Sequence, residues 1–325
     1  LIEGGPAIDA DRRSARRRER ERQIARRRRT AAITALLIVI AVIAVIASGG
    51  GGSSKQSNQP AAAAHNNLAG RGSGRTESTI PAGVAPAARD VSAPILMYHV
   101  IKPPPAGAPF PGLYVPASEF AEQMQALARA GFHAVTLEQL NSHWREDRPL
   151  PSKPVVITFD NGYQSQDTNA LPVLQRLGWR GVENIQLTGL PPSQGGLSQA
   201  QVQSLLSAGW ELNTQGISHA DLTTLNATQL REQIATSRQM LQRRYHVPVR
   251  WFCYPSGHYN ATVIAAVKEA GYLGSTTVVP GWASPGGDPY RLPRLRVLGG
   301  TSGAQLLELI HSTEQNPAPP LSYGS

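Results

Sequence analysis

Cysteine is nearly absent from this 325-residue chain, which has one, Cys253. A single thiol excludes an intramolecular disulfide. It lies in a run of strand character, Trp251-Phe252-Cys253-Tyr254, and so reads as packing. A nucleophilic thiol wants an electropositive setting with a histidine beside it, and His258 is five residues on. No cysteine stands near the end of the long apolar run at 31–47, which excludes a bacterial lipoprotein signal. Surplus charge is also missing beyond the first 92 residues: 93–325 hold 16 Lys and Arg against 15 Asp and Glu. Most of the formal net charge of +9 belongs to the amino-terminal tail, where residues 1–30 carry eleven Arg and five acids. With no basic face on the domain, nucleic acid is excluded as a partner.

The apolar run Ala31–Ala47 is interrupted only by Thr34. At about 1.5 Å per residue such a helix spans about 25 Å, the short end of what crosses a bilayer. Set between an Arg cluster and a Gly/Ser linker it has no core to join, so it is expected to be a transmembrane signal-anchor. Positive residues stay cytoplasmic. Residues 1–30 are then a cytoplasmic tail, and the rest of the chain lies outside a bacterial cell membrane as a single-pass protein. A cleaved signal peptide is the rival, with Ala47-Ser48-Gly49 as its small-residue site; the length of the run favours the anchor. Residues 48–92 read as a disordered linker with a typical end-to-end distance of about 35–40 Å. The domain is expected over 93–313, with a loose tail at 314–325.

Within the domain, strand and helix patterns alternate. Strand runs at Ile95–Tyr98, Ala134–Leu137, Pro154–Phe159, Val182–Leu187, Trp210–Gln215, Trp251–Tyr254, Ser275–Val279 and Leu295–Leu298 are separated by helical periods. The longest of these periods covers Thr228–Tyr245. Such alternation predicts an α/β domain, a parallel sheet with helices outside. Periodicity leaves a barrel and an open sheet both possible.

Two segments carry chemistry at predicted strand ends: Thr158-Phe159-Asp160-Asn161-Gly162-Tyr163 and Gln215-Gly216-Ile217-Ser218-His219. They resemble the T-F-D-D-G and H-x-x-x-H signatures of the NodB-type polysaccharide deacetylases (carbohydrate esterase family 4). Three further segments are similar to that family's motifs: Ile95-Leu96-Met97-Tyr98-His99, Phe252-Cys253-Tyr254-Pro255-Ser256-Gly257-His258-Tyr259, and Asp288-Pro289-Tyr290-Arg291-Leu292-Pro293-Arg294. The resemblance implies a distorted (β/α) barrel of about seven units that removes acetyl groups from N-acetylated sugars. There a divalent metal polarises the amide carbonyl and activates a water. It further implies Asp160 as general base, the backbone amide of Tyr254 as an oxyanion donor, and His219 as a metal ligand. Leu309-Ile310-His311 has the spelling of the family's catalytic-acid motif, but its helical period makes His311 a surface or packing residue.

Here the chain departs from the family. Asn161 stands where a metal Asp is usual and Gln215 where a metal His is usual, so His219 alone remains of three ligands. Neutral amide oxygens suit zinc poorly. With no cation beside it, Asp160 is expected to titrate higher than in a metal-loaded relative. Asn161, Asn184, Asn213, Gln215, Tyr163 and His99, with Gln186 nearby, are expected to form an amide-rich site for carbohydrate hydroxyls. A self-satisfied hydrogen-bond network in a barrel core is the plainer alternative. Trp179, Trp210, Trp251 and Trp282 are candidate stacking platforms. Two functions follow: a membrane-anchored deacetylase releasing acetate from an N-acetylated envelope polysaccharide or peptidoglycan, or a metal-free pseudoenzyme that binds the same glycan.

Overall fold

The computed structural model describes residues 90–188, 190 and 195–315. The apolar run 31–47, the tail 1–30, nearly all of the linker 48–92 and residues 316–325 lie outside the described residues. Among the described residues no helix is long and apolar enough to cross a membrane.

The strands are β1 (Ala93–Tyr98), β2 (His133–Val135), β3 (Pro154–Asn161), β4 (Val182–Ile185), β5 (Glu211–Thr214), β6 (Trp251–Cys253), β7 (Gly274–Thr276), β8 (Trp282–Ala283) and β9 (Leu295–Arg296). They form one sheet in the order β7-β6-β5-β4-β3-β1-β8, with β2 on β3 and β9 on β1. Only β8 is antiparallel, on β1. The gap between β7 and β1 is spanned by residues 292–297. The Thr277 amide donates to Leu292 O (2.9 Å), Arg294 N to Val279 O (2.9 Å) and Val297 N to Met97 O (3.1 Å). The sheet is thus curled into a distorted barrel with an incompletely bonded seam.

The helices are α1 (Ala117–Arg129), α2 (Leu137–Glu146), α3 (Leu171–Arg176), α4 (Gln199–Ser207), α5 (Ala227–Arg231), α6 (Ser237–Tyr245), α7 (Ala261–Glu269) and α8 (Gly303–Gln315). Thr136, Ser198 and Asn226 open α2, α4 and α5 with reciprocal capping boxes to Gln139, Gln201 and Gln229. Each box satisfies two otherwise orphaned amides. The helical period expected over 228–245 is broken by a π turn at Glu232–Thr236, and α3 is entered through another at Gln166–Ala170. Thr136, expected in a strand, instead caps α2. His311 lies on the exposed side of α8.

Strand alternation sorts the core into two faces. Outward, Tyr98, Phe159 and Trp210 pack under the helices with Phe120, the Phe159 and Trp210 rings stacking at 4.9 Å. Truncating a buried ring such as Phe159 to Ala costs about 3–5 kcal/mol. Inward, Ile95, Val156, Val182 and Trp251 fill the entry end of the barrel. Two residues further along β3 and β4 the inward positions become polar, with Thr158 and Asn184, and that change of character leads into the site.

Candidate functional site

Asp160, the last inward position of β3, is 1% exposed, and its carboxylate lies against Arg294. Arg294 Nη1 donates to Oδ1 (2.7 Å) and Nη2 to Oδ2 (2.8 Å). Its remaining donors go to Thr277 O, Thr158 Oγ1 and Cys253 Sγ. All five N–H groups of a buried guanidinium are therefore used. Asn184 Nδ2 adds a bond to Asp160 Oδ1 (2.9 Å). Burial alone would raise the Asp160 carboxyl, but the Arg294 charge and its hydrogen bonds outweigh it and bring the pKa down to about 2. The expectation of a higher pKa is thereby corrected: the cation beside Asp160 is a guanidinium, delivered by the segment that fills the barrel seam. Cys253 is packing, as its sequence setting indicated, with burial pushing its thiol up to about 12.

Past Asp160 the chain turns sharply. Asn161 has φ 79° and Gly162 φ 86°, and a Cβ on Gly162 would sit 2.6 Å from the Ile185 side chain. Only glycine fits there. Gln166 Nε2 then ties two strand ends together by donating to Asp160 O (2.8 Å) and His99 O (2.9 Å). The amides form a chain. Asn161 Nδ2 donates to Gln186 Oε1 (2.7 Å), Gln186 Nε2 to Thr188 O (2.8 Å), and Asn161 N to Gln215 Oε1 (3.0 Å).

A cleft of about 350 Å³ opens above these groups, and Asp160, Asn161, Tyr163, Gln215, His219, Tyr254, His99 and Arg294 all line it. Asn213 and Asn184 lie outside that lining. Asn213 is wholly buried, donating to Glu211 Oε1 (2.6 Å) and accepting from Trp251 N (3.1 Å), so it locks β5 to β6. Asn184 acts only through Asp160. The Tyr254 amide, assigned by resemblance to an oxyanion, donates to Thr276 O (3.3 Å) within the sheet. Its hydroxyl donates to Tyr290 O (3.0 Å). His99 is pulled down to about 4, chiefly by burial, with Asp160 opposing and Arg294 adding to the effect. His219 is lowered in the same direction, again chiefly by burial. Both imidazoles are neutral at pH 7. The tryptophans are not platforms: Trp179, Trp210 and Trp251 are buried, and Trp282 donates its Nε1 to Ile310 O (3.0 Å).

The donors present do not fit the family's metal. Both Asp160 oxygens are held by Arg294, Gln215 Oε1 accepts from the Asn161 amide, and His219 is the one imidazole at a metal position. Among the described residues no group of three His, Cys, Asp or Glu is placed to hold an ion. A divalent site needs anionic and imidazole donors converging on one point; His99 and His219 line this cleft, but its Asp160 carboxylate is held by Arg294.

The family model for polysaccharide deacetylases matches residues 147–274. YxkH of Bacillus subtilis (strain 168), named among the polysaccharide deacetylases, is 30% identical over 220 residues, 67% of this chain and 76% of YxkH. The chain belongs to the polysaccharide deacetylase family. Two solved structures share its architecture. The deacetylase PplD of Streptococcus pyogenes, in complex with acetate, has a TM-score of 0.63 at 24% identity, covering 68% of this chain and 99% of PplD. At that identity the likeness is one of fold. BA0330 of Bacillus anthracis, also named for the polysaccharide deacetylases, has a TM-score of 0.61 at 26% identity, covering 68% and 69%. Function is thus polysaccharide deacetylase-like. Arg294 was in view in the sequence as the end of a family motif. The signal of its role was an arginine in an apolar, proline-flanked run, which must find a carboxylate if buried.

Proposed function

We propose that this chain is a glycan-binding member of the family, which takes an N-acetylated segment of envelope polysaccharide or peptidoglycan into the strand-end cleft and holds it without hydrolysis. It would be presented outside a bacterial cell membrane on the 31–47 anchor and the 48–92 linker. The carrying observation is the closed Asp160–Arg294 pair in a cleft without a ligand set. With both carboxylate oxygens held by Arg294, Asp160 serves as an ion-paired floor of the cleft.

What remains is recognition. Gln215 Nε2 and Asn161 Oδ1 have no partner among the described residues and line the cleft. Together they supply one donor and one acceptor, the complement of an acetamide C=O and N–H. PplD, which shares the fold, was solved with acetate. The test is to incubate the full-length chain with a β-1,4-linked N-acetylglucosamine pentamer, following binding by calorimetry and acetate release enzymatically. Binding without acetate is the expected result. Acetate released at a rate proportional to protein, and abolished by Asp160→Asn, would overturn the reading in favour of a deacetylase with a rearranged site.

A further inference from the structure

The polar cleft has an apolar lip that none of the family motifs supplies. Phe110 is 68% exposed yet lines the cleft that holds Asp160 and Gln215. Leu113 lines it too, and Leu298, 42% exposed, packs within reach of Gly112 beside it. Phe110 stands between Pro109 and Pro111, in a segment that also contains Pro103, Pro104 and Pro105. Proline on both sides narrows its backbone freedom. The base of the segment is pinned as well: Val100 N donates to Leu113 O (3.2 Å), Val115 N to Val100 O (2.9 Å) and Gly299 N to Gly112 O (2.9 Å). A largely exposed ring is thus carried on a stiff, tethered frame at the edge of the cleft. That is the arrangement of a preorganised binding group.

We infer that Phe110 is a stacking platform for a pyranose ring of the glycan chain, next to the unit whose acetamide enters the cleft. This inference rests on the glycan-binding reading above. A pyranose has an apolar C–H face and a polar hydroxyl edge. An aromatic lip over an amide-rich floor matches both at once. A lipid surface would match the ring alone, and would leave the continuity of Phe110 with the polar cleft without purpose.

The experiment compares the full-length chain with Phe110→Ala and Phe110→Trp. It measures affinity for the N-acetylglucosamine pentamer and the thermal midpoint. Phe110→Ala is expected to weaken pentamer binding about tenfold, with Phe110→Trp at least as tight as the natural chain. The midpoint should stay put, because the ring is outside the core. Equal pentamer affinity in the natural chain and Phe110→Ala overturns this inference alone. Absence of pentamer binding in the natural chain overturns the glycan reading and the platform with it.

Discussion

Asp160 and Arg294 are both almost wholly buried, so each is tolerable only because of the other. Removing one partner of such a pair leaves an uncompensated charge in the core, at a cost of about 3–5 kcal/mol. Arg294→Met should lower unfolding stability by that amount in urea titration at pH 7. Asp160→Asn combined with Arg294→Met should recover much of the loss, since the two act as a unit. The pair also sets a pH dependence. Its folded pKa of about 2 lies below the ordinary Asp value of 3.8, so the stabilisation is complete above about 4 and is lost as pH falls toward 2. Denaturation from pH 6 to pH 2 should show this loss, about 2 kcal/mol, in the natural chain and not in the double variant. An unchanged acid limb in the double variant would mean that Arg294 does not depress Asp160.

Strand β4 is odd for a strand inside a parallel sheet, where near-continuous apolar residues are usual. Its Glu183 is 1% exposed, and neither carboxyl oxygen has a hydrogen-bond partner. Burial raises its pKa well above the usual carboxylate range, and the charge on Asp160 adds to the rise. The folded state therefore keeps a proton that the unfolded chain releases near pH 4.5, and stability falls as pH climbs above that value. Glu183→Gln keeps the shape and removes the titration. It should raise the thermal midpoint at pH 7 by about 2–6 °C, because Gln need not take up a proton in order to be buried. A midpoint unchanged at pH 7 would place the carboxyl in contact with water. The turn after β3 has its own test: Gly162→Ala meets Ile185 in a left-handed conformation and should lower both stability and pentamer affinity.

For the molecule as a whole, charge is nearly balanced in the domain and neutralised at the cleft floor. Affinity for an uncharged N-acetylated glycan should then vary less than twofold between 50 and 500 mM salt. It should also be flat from pH 7 to 8, since Asp160 titrates near 2, His99 near 4, and burial lowers His219 from its ordinary value. A steep loss of binding across that range in calorimetry would point to a charged group in recognition. Much of this was legible in the sequence. The β/α alternation and five ordered motifs indicated the fold, and Asn161 and Gln215 showed the editing of the metal positions. The cation beside Asp160 was not legible, because Arg294 is 134 residues away and reaches it only when the 292–297 segment fills the barrel seam. Phe110 was hidden for a different reason: a lone aromatic in a proline-rich loop has no period, and its exposure depends on how that loop is tethered. The tryptophans misled because large aromatic residues favour the core when nothing props them out. On the proposed reading the cleft holds an ion-paired floor and no divalent metal. Elemental mass spectrometry of the dialysed full-length chain, beside the Asn161→Asp/Gln215→His variant, addresses it directly. No bound divalent metal in the natural chain and close to one per molecule in the variant is the predicted outcome; close to one in the natural chain would contradict it.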